Sequence, residues 1–138
     1  MARSFDVSLV TPEGPAYEGE AEMLIVPGAD GEIGVLARHA PLVAMLKAGS
    51  TRVHRSDSDV LEFATGPGFF KVEQDRAIAL VDDAVQAKDI DVGRARQKLE
   101  AAQEALDAVE RGDSGGDKWV LEQRVRYAEN LLEVAGRS

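Results

Sequence analysis

The chain has 138 residues, and its 16 Lys and Arg against 25 Asp and Glu give a formal net charge of −9. This length favours one domain, or one small domain with an appendage. The acidic balance argues against a nucleic-acid binder, because neutralising phosphates needs clustered Lys and Arg. The absence of cysteine excludes disulfides, thiol catalysis and cysteine-ligated metals. No apolar run approaches the roughly 20 residues that span a bilayer, and the first residues lack the apolar core of a signal peptide, so we expect a soluble or peripheral component.

Residues 1–86 are predicted to form an antiparallel β-sandwich. Residues 5–9 alternate apolar and polar side chains, which is the period of a half-buried strand, and the Thr-Pro-Glu-Gly sequence at 11–14 is typical of a turn. Similar short apolar runs between turn signals recur up to residue 81, a spacing that favours a sandwich or barrel. The residues expected in its core are Phe5, Val7, Ile25, Ile33, Val35, Phe63 and Ile78.

Residues 89–138 are predicted to form an antiparallel two-helix hairpin, which makes the fold class α+β. Apolar residues at helical spacing define one stripe on each helix. The stripes are Val92, Ala95, Leu99, Ala102, Leu106 and Val109, then Leu121, Val125, Ala128, Leu132 and Ala135. The glycine-rich segment 111–117 separates them. Because an isolated hairpin buries little surface, we expect it to pack on the β domain or on a partner, and to be able to move between the two.

No pattern of catalytic residues stands out in the sequence. The two histidines, His39 and His54, lack the spacing of a metal-binding pair. No G-x-S-x-G motif occurs, and Gly66-Pro67-Gly68 lacks the remainder of a phosphate-binding loop. The sequence therefore predicts neither an enzyme nor a metal site.

The most distinctive segment is 24–43, which reads LIVPGADGEIGVLARHAPLV. It resembles the signature of the epsilon subunit of bacterial and chloroplast rotary ATP synthases, the subunit called delta in mitochondria. Further pieces resemble that family in the same order: LKAG at 46–49, FATGPGFFKV at 63–72 and IDVGRA at 90–95. Two departures are Ala37-Arg38, where the family has Pro-Gly, and Pro67 within the family's Gly-Gly.

The resemblance implies a non-catalytic central-stalk, or rotor, subunit of a proton-translocating ATP synthase at the cytoplasmic face of the bacterial plasma membrane. Residues 1–86 would bind the gamma shaft subunit and the c subunits of the membrane ring. Residues 89–138 would regulate the complex, inhibiting ATP hydrolysis through contacts with the catalytic beta and alpha subunits. No cofactor, nucleic acid or direct membrane insertion is implied. The alternative is a stand-alone ATP-sensing or adaptor protein.

Four residues of the signature are expected to contact partners. Glu32 and His39 are expected at one end of the sandwich. We assign both to partner contacts, since a turn shaped by Gly and Pro needs neither of them. Leu42 and Val43 are expected beside them, with burial in the core as an equal alternative.

A nucleotide site on the hairpin is the remaining candidate. Some relatives bind ATP through the I-D-x-x-R-A motif and arginines of the second helix, which by resemblance points to Asp91, Arg94 and Arg126. Helix capping by Asp91 and an exposed Asp91–Arg94 pair are the simpler interpretations. One turn beyond Arg126, where those relatives carry another arginine, this chain has Asn130. We therefore expect ATP binding to be weak or absent.

Overall fold

The computed structural model describes residues 3–137, and it confirms a β-sandwich followed by two helices. The ten strands of this part of the chain, β1 to β10, are Phe5–Thr11, Gly14–Ala21, Met23–Gly28, Gly31–Leu36, Leu42–Leu46, Gly49–Ser56, Asp59–Thr65, Gly68–Glu73, Arg76–Val81 and Ala84–Gln86. A 3-10 turn at Ala87–Asp89 leads to helices α1 (Val92–Glu110) and α2 (Lys118–Arg137). Neither helix in residues 3–137 combines the length and apolar character needed to cross a membrane.

The strands form one continuous sheet that folds over on itself. Its order is β10-β7-β6-β3-β5-β8-β9-β1-β2, and β4 pairs with β3. Strand β3 pairs with β6 through Met23–Ile25 but with β5 only at Gly28. The sheet therefore turns at the end of β3, between the strands on the β6 side and those on the β5 side. One strand pair departs from the predicted antiparallel arrangement, because β1 runs parallel to β9. These two strands are distant in sequence, so no hairpin turn dictates their direction.

The core of the sandwich contains most of the residues expected there. Phe5, Val7, Val35 and Phe63 are buried, and Ile33 packs against them while partly exposed.

Ile25 and Ile78 are corrections to the expected core, because both are only partly buried and lie outside the central cluster. In β3 and β9 apolar residues occupy consecutive positions, so the alternation that fixes the inward face is lost. The inward positions are the neighbours Leu24 and Val26 in β3, and Ala77 and Ala79 in β9.

The two helices pack against each other along the middle of the predicted apolar stripes, while Ala95 and Leu132 pack toward the sandwich and Val92 is exposed. Ala102 and Leu106 of α1 share a buried cluster with Leu121 and Val125 of α2. An aspartate caps the N-terminus of each helix. The Asp91 side chain accepts a hydrogen bond from the N–H of Arg94 at the start of α1. The Asp117 side chain accepts from the N–H groups of Trp119 and Val120 at the start of α2.

The segment between β4 and β5 contains one residue in an unfavourable backbone conformation. Arg38 has φ of 65°, in the left-handed region, at a position where the resembling family has Gly. Its N–H donates to the Asp75 carboxylate in the β8–β9 turn, which holds the loop in place.

We expect Arg38→Gly to raise the free energy of unfolding by about 0.5–1 kcal/mol. Relief of left-handed strain, about 1–2 kcal/mol, is partly offset by the larger backbone entropy of glycine in the unfolded chain. Urea denaturation measures this change. Ala40→Gly in the same loop is the matched control, since Ala40 has no positive φ and should lose stability. Equal losses in both variants would contradict the strain at Arg38.

Candidate partner-binding surfaces and the docked hairpin

The outer face of strands β5, β8 and β9 carries a row of exposed apolar side chains. Met45 lies opposite Phe69, and Phe69 lies opposite Leu80 in the next strand. Met45 is 61% exposed, Phe69 38% and Leu80 49%. Val43, two residues before Met45 and on the same side of β5, is 61% exposed. We call these four residues the apolar face. Adjacent exposed apolar side chains of this kind mark an interaction site in a folded protein.

The four predicted contact residues do not lie together. Glu32 is at the start of β4, and His39 follows three residues after its end. The strand alone separates the two positions by about 13 Å at ~3.3 Å per residue. The expectation that both residues lie at one end of the sandwich is therefore wrong, because β4 runs straight along β3 between them.

Each of the two charged or polar candidates has its own surroundings. Glu32 is exposed and forms an ion pair with Arg52 of β6, with 3.2 Å between Oε2 and Nη2. The ring of His39 lies against the carbonyl of Ala40, with Nδ1 2.7 Å from that oxygen. His39 is partly exposed and lies three residues before β5, the strand in which Val43 begins the apolar face.

Leu42 and Val43 divide between the two interpretations left open by the sequence. Leu42 is partly buried and packs against the sandwich core. Val43 points to the opposite side of the same strand and belongs to the apolar face. Strand alternation therefore assigns one residue to the core and the other to the surface.

The candidate nucleotide residues are not gathered at one cavity by the described structure. The Asp91 side chain accepts a hydrogen bond from the Arg94 N–H at 3.1 Å, which is the geometry of a helix cap. Arg94 and Arg126 are exposed. A cavity of about 560 Å³ between the helices and the sandwich has Lys98 and Arg124 as its cationic side chains, and the carboxylates of Glu13, Asp82 and Asp83 also line it. Weak or absent ATP binding stays a prediction.

Helix α2 has a second stripe that the sequence analysis missed. Besides the apolar stripe toward α1, it directs residues 123, 127, 130, 134 and 137 toward the sandwich, at steps of four and three residues. Four of the five are polar, so a search for apolar periodicity passes over them. We call Gln123, Tyr127, Asn130 and Arg137 the polar stripe.

Each member of the polar stripe makes a hydrogen bond to the sandwich or to the segment that follows it. Gln123 Oε1 accepts from the Ala48 N–H at 2.9 Å. The Tyr127 hydroxyl donates to Asp83 Oδ2 at 2.7 Å, and Asn130 Nδ2 donates to Ser50 Oγ at 3.0 Å. Arg137 Nη2 donates to Glu62 Oε2 at 2.6 Å and to Ser50 Oγ at 3.1 Å.

Electrostatics at this contact favour the protonated forms of its donors. Burial, together with the hydrogen bond to Asp83, raises the pKa of Tyr127, so its hydroxyl stays a donor at neutral pH. The hydrogen bond to Glu62 raises the pKa of Arg137. Burial and the neighbouring Asp83 charge raise the pKa of Asp82.

The same contact also has an apolar part. Ala64 on the outer side of β7 is buried together with Ala95, Leu131 and Val134 of the hairpin. Further apolar side chains pack against this cluster while partly exposed: Val85, Ala87, Ile90, Tyr127 and Leu132. The hairpin is therefore docked by apolar burial as well as by the hydrogen bonds of the polar stripe.

These features define a β-sandwich with one exposed apolar face and a helical hairpin docked on other strands. The family described as ATP synthase, Delta/Epsilon chain, beta-sandwich domain matches residues 4–87. The chain is 40% identical to the ATP synthase epsilon chain 1 of Methylococcus capsulatus over 97% of this chain and 92% of that one. It is 37% identical to the ATP synthase epsilon chain of Rubrobacter xylanophilus, over 94% and 90% of the two chains. The chain therefore belongs to the family of ATP synthase epsilon chains.

Two solved structures share the fold. A chain of the Euglena gracilis mitochondrial ATP synthase has a TM-score of 0.77 at 20% identity, covering 96% of this chain and 81% of that one. A chain in the central stalk and c-ring structure of the Tetrahymena thermophila mitochondrial ATP synthase has a TM-score of 0.57 at 12% identity, with 99% and 96% covered. At such low identity these likenesses describe the fold alone.

Proposed function

We propose that this chain is a non-catalytic rotor subunit of a bacterial ATP synthase, acting at the cytoplasmic face of the plasma membrane. The sandwich would join the gamma shaft to the ring of c subunits, and the hairpin would restrain ATP hydrolysis. The observation that carries the proposal is the apolar face, a row of exposed apolar side chains that a partner would cover. The two structural neighbours come from ATP synthase structures that include a c-ring, which agrees with this role.

The apolar face is the surface proposed to contact the shaft. It lies on β5, β8 and β9, whereas the hairpin docks through β6 and β7. A shaft bound there would leave the hairpin in place. Val43 belongs to this face, and His39 lies at its border, so both are assigned to the shaft contact.

The turn between β3 and β4 is the surface proposed to contact the ring. Residues 29–32 are all exposed, and Glu32 supplies a charged group beside the turn. The Arg52 partner of Glu32 is itself partly exposed, so this ion pair is weak and can exchange for a partner's polar group.

The hairpin is proposed to act as a brake by leaving its docked position. Release would exchange its hydrogen bonds to the sandwich for water, and the released helices would extend along the shaft to the catalytic beta and alpha subunits. Two positions of similar free energy make a bistable element, which a partner can shift only by binding one position more tightly.

Separate substitutions of Glu32 and His39 test the contact assignments. We expect Glu32→Ala to weaken binding to purified c-ring about 5-fold, as for the loss of about 1 kcal/mol from a polar contact, and to leave binding to the shaft unchanged. His39→Ala should do the reverse. Surface-captured ring and shaft subunits, with the full chain in solution, give both affinities.

Circular dichroism of each variant establishes that the sandwich stays folded. Glu13→Ala in the exposed β1–β2 turn is the control, since the proposal gives this carboxylate no contact. Unchanged binding of both variants to both partners would remove the assigned contacts. If the full chain fails to co-purify with any ATPase, the proposal fails in favour of a stand-alone ATP-sensing or adaptor protein.

A further inference from the structure

We propose that Gln123 is the positioning residue that holds the hairpin in its docked place. Its relevance to catalysis rests on the proposed brake, but its effect on the hairpin does not. The inference comes from the burial of this side chain. The Gln123 side chain is 7% exposed, and it is the only buried polar or charged side chain in the described helices.

The partner of Gln123 is a backbone group at the corner of the sandwich. Ala48 lies between β5 and β6 and is itself buried. The preceding residues are held by backbone bonds across the corner, from Lys47 N–H to the Pro27 carbonyl and from Ala29 N–H to the Met45 carbonyl. The Ala48 N–H instead points outward to Gln123 Oε1. The hairpin thus supplies an acceptor to a group that the corner leaves unpaired.

The consequence differs between the docked and released positions. In the docked position an N–H without this acceptor is buried and unsatisfied, which is costly. In the released position water reaches the N–H, so the identity of residue 123 no longer matters. A side chain at position 123 that cannot accept a hydrogen bond therefore penalises docking and nothing else. The expected shift in the docked-to-released ratio is roughly 5- to 100-fold.

The other polar contacts are less able to decide the position. Arg137 pairs with Glu62 near the surface, where ion pairs are worth little. The Asn130–Ser50 and Tyr127–Asp83 bonds are only part-buried. Gln123 and Arg137 lie 14 residues apart, about 21 Å along the helix at 1.5 Å per residue. One end of α2 is thus held by a buried bond and the other by an exposed one.

Gln123→Met tests the proposal, because methionine has nearly the shape of glutamine but no comparable acceptor. The matched control is Gln97→Met on the exposed side of α1, where no bond to the sandwich is lost. Amide hydrogen exchange of the full-length chain measures local opening. We expect exchange at Ala48 and along α2 to accelerate roughly 5- to 100-fold in Gln123→Met, with the strand amides of the core unchanged. Gln97→Met should exchange like the unmodified chain.

Fluorescence gives a second readout. The single tryptophan, Trp119, lies one turn before Gln123 and borders a cleft with Pro67 and Asp82. Because it is already 54% exposed, release should move its emission only slightly to longer wavelength. Unchanged exchange in Gln123→Met, or equal acceleration in Gln97→Met, would overturn the proposal.

The assembled complex separates this proposal from the proposed brake. If hydrogen exchange shows that Gln123→Met releases the hairpin, and the variant also lowers ATP hydrolysis, the role of Gln123 and the brake both stand. If it releases the hairpin but leaves hydrolysis unchanged, the role of Gln123 stands and the brake fails.

Discussion

Removing residues 89–138 is expected to raise ATP hydrolysis by the assembled complex. If half of the complexes carry a released, inhibiting hairpin, the truncated chain should roughly double the rate. The sandwich retains the apolar face and Glu32, so assembly should persist. The measurement compares hydrolysis by complexes reconstituted with the full and truncated chains, at equal content of this subunit.

The effect must be separated from loss of the subunit. A complex lacking the chain altogether is the control, and its coupling to proton transport should be lost, whereas the truncated chain should preserve it. Equal hydrolysis with the full and truncated chains, under conditions that drive hydrolysis, would contradict the brake.

Phe70→Ala is expected to cost about 3–5 kcal/mol of stability, a large part of the 5–15 kcal/mol that holds a typical domain. Phe70 is 0% exposed and fills the centre of the sandwich. Its removal leaves a cavity that the surrounding strands cannot close. Urea denaturation followed by circular dichroism measures the change, and the variant should unfold at a much lower urea concentration.

The neighbouring residue provides a control with the opposite outcome. Phe69 precedes Phe70 on β8 and points to the apolar face. Phe69→Ala should cost about 1 kcal/mol or less, because the side chain is partly exposed already, while weakening binding to the shaft. If Phe69→Ala binds the shaft as well as the unmodified chain does, or if Phe69→Ala and Phe70→Ala lose similar stability, the assignment of the two faces is contradicted.

The sandwich was predictable wherever polar residues mark the outward positions. Residues 5–9 alternate strictly, and Phe5 and Val7 are buried as expected. In β3 the apolar run leaves two possible inward faces, and the sequence favours neither. The choice falls to Leu24 rather than Ile25 because β3 must pair with β4 and β6 in one register.

The hairpin was predictable as a pair of helices but not as a docked element. Its apolar stripes are regular in sequence, and their middle parts pack between the helices as predicted. Val92 is exposed instead, and Leu131 and Val134, which lie outside the predicted stripe, are buried. Docking on the sandwich depends on Gln123 and Asn130, whose side chains are indistinguishable in sequence from solvated ones. Their partners, Ala48 and Ser50, are 75 and 80 residues away in the chain. No local pattern records such a pairing.

The candidate contacts show the same limit. Glu32 and His39 lie in one signature segment and were expected at one end of the sandwich, but strand β4 runs between them and places them apart. The apolar face depends on register across three strands, which brings Met45, Phe69 and Leu80 into line. Each residue taken alone reads as an ordinary strand position.

The central claim is that the hairpin inhibits ATP hydrolysis only after it leaves the sandwich. A reversible disulfide between hairpin and sandwich tests this claim most directly. The chain has no cysteine, so Ala64→Cys with Val134→Cys introduces a single possible disulfide between two residues of one buried cluster. Each single substitution serves as a control. With the disulfide formed, the hairpin stays docked, and the assembled complex should hydrolyse ATP as fast as the truncated one. Reduction should return the rate to that of the full chain. Equal rates before and after reduction, or slower hydrolysis with the disulfide formed, would contradict the account.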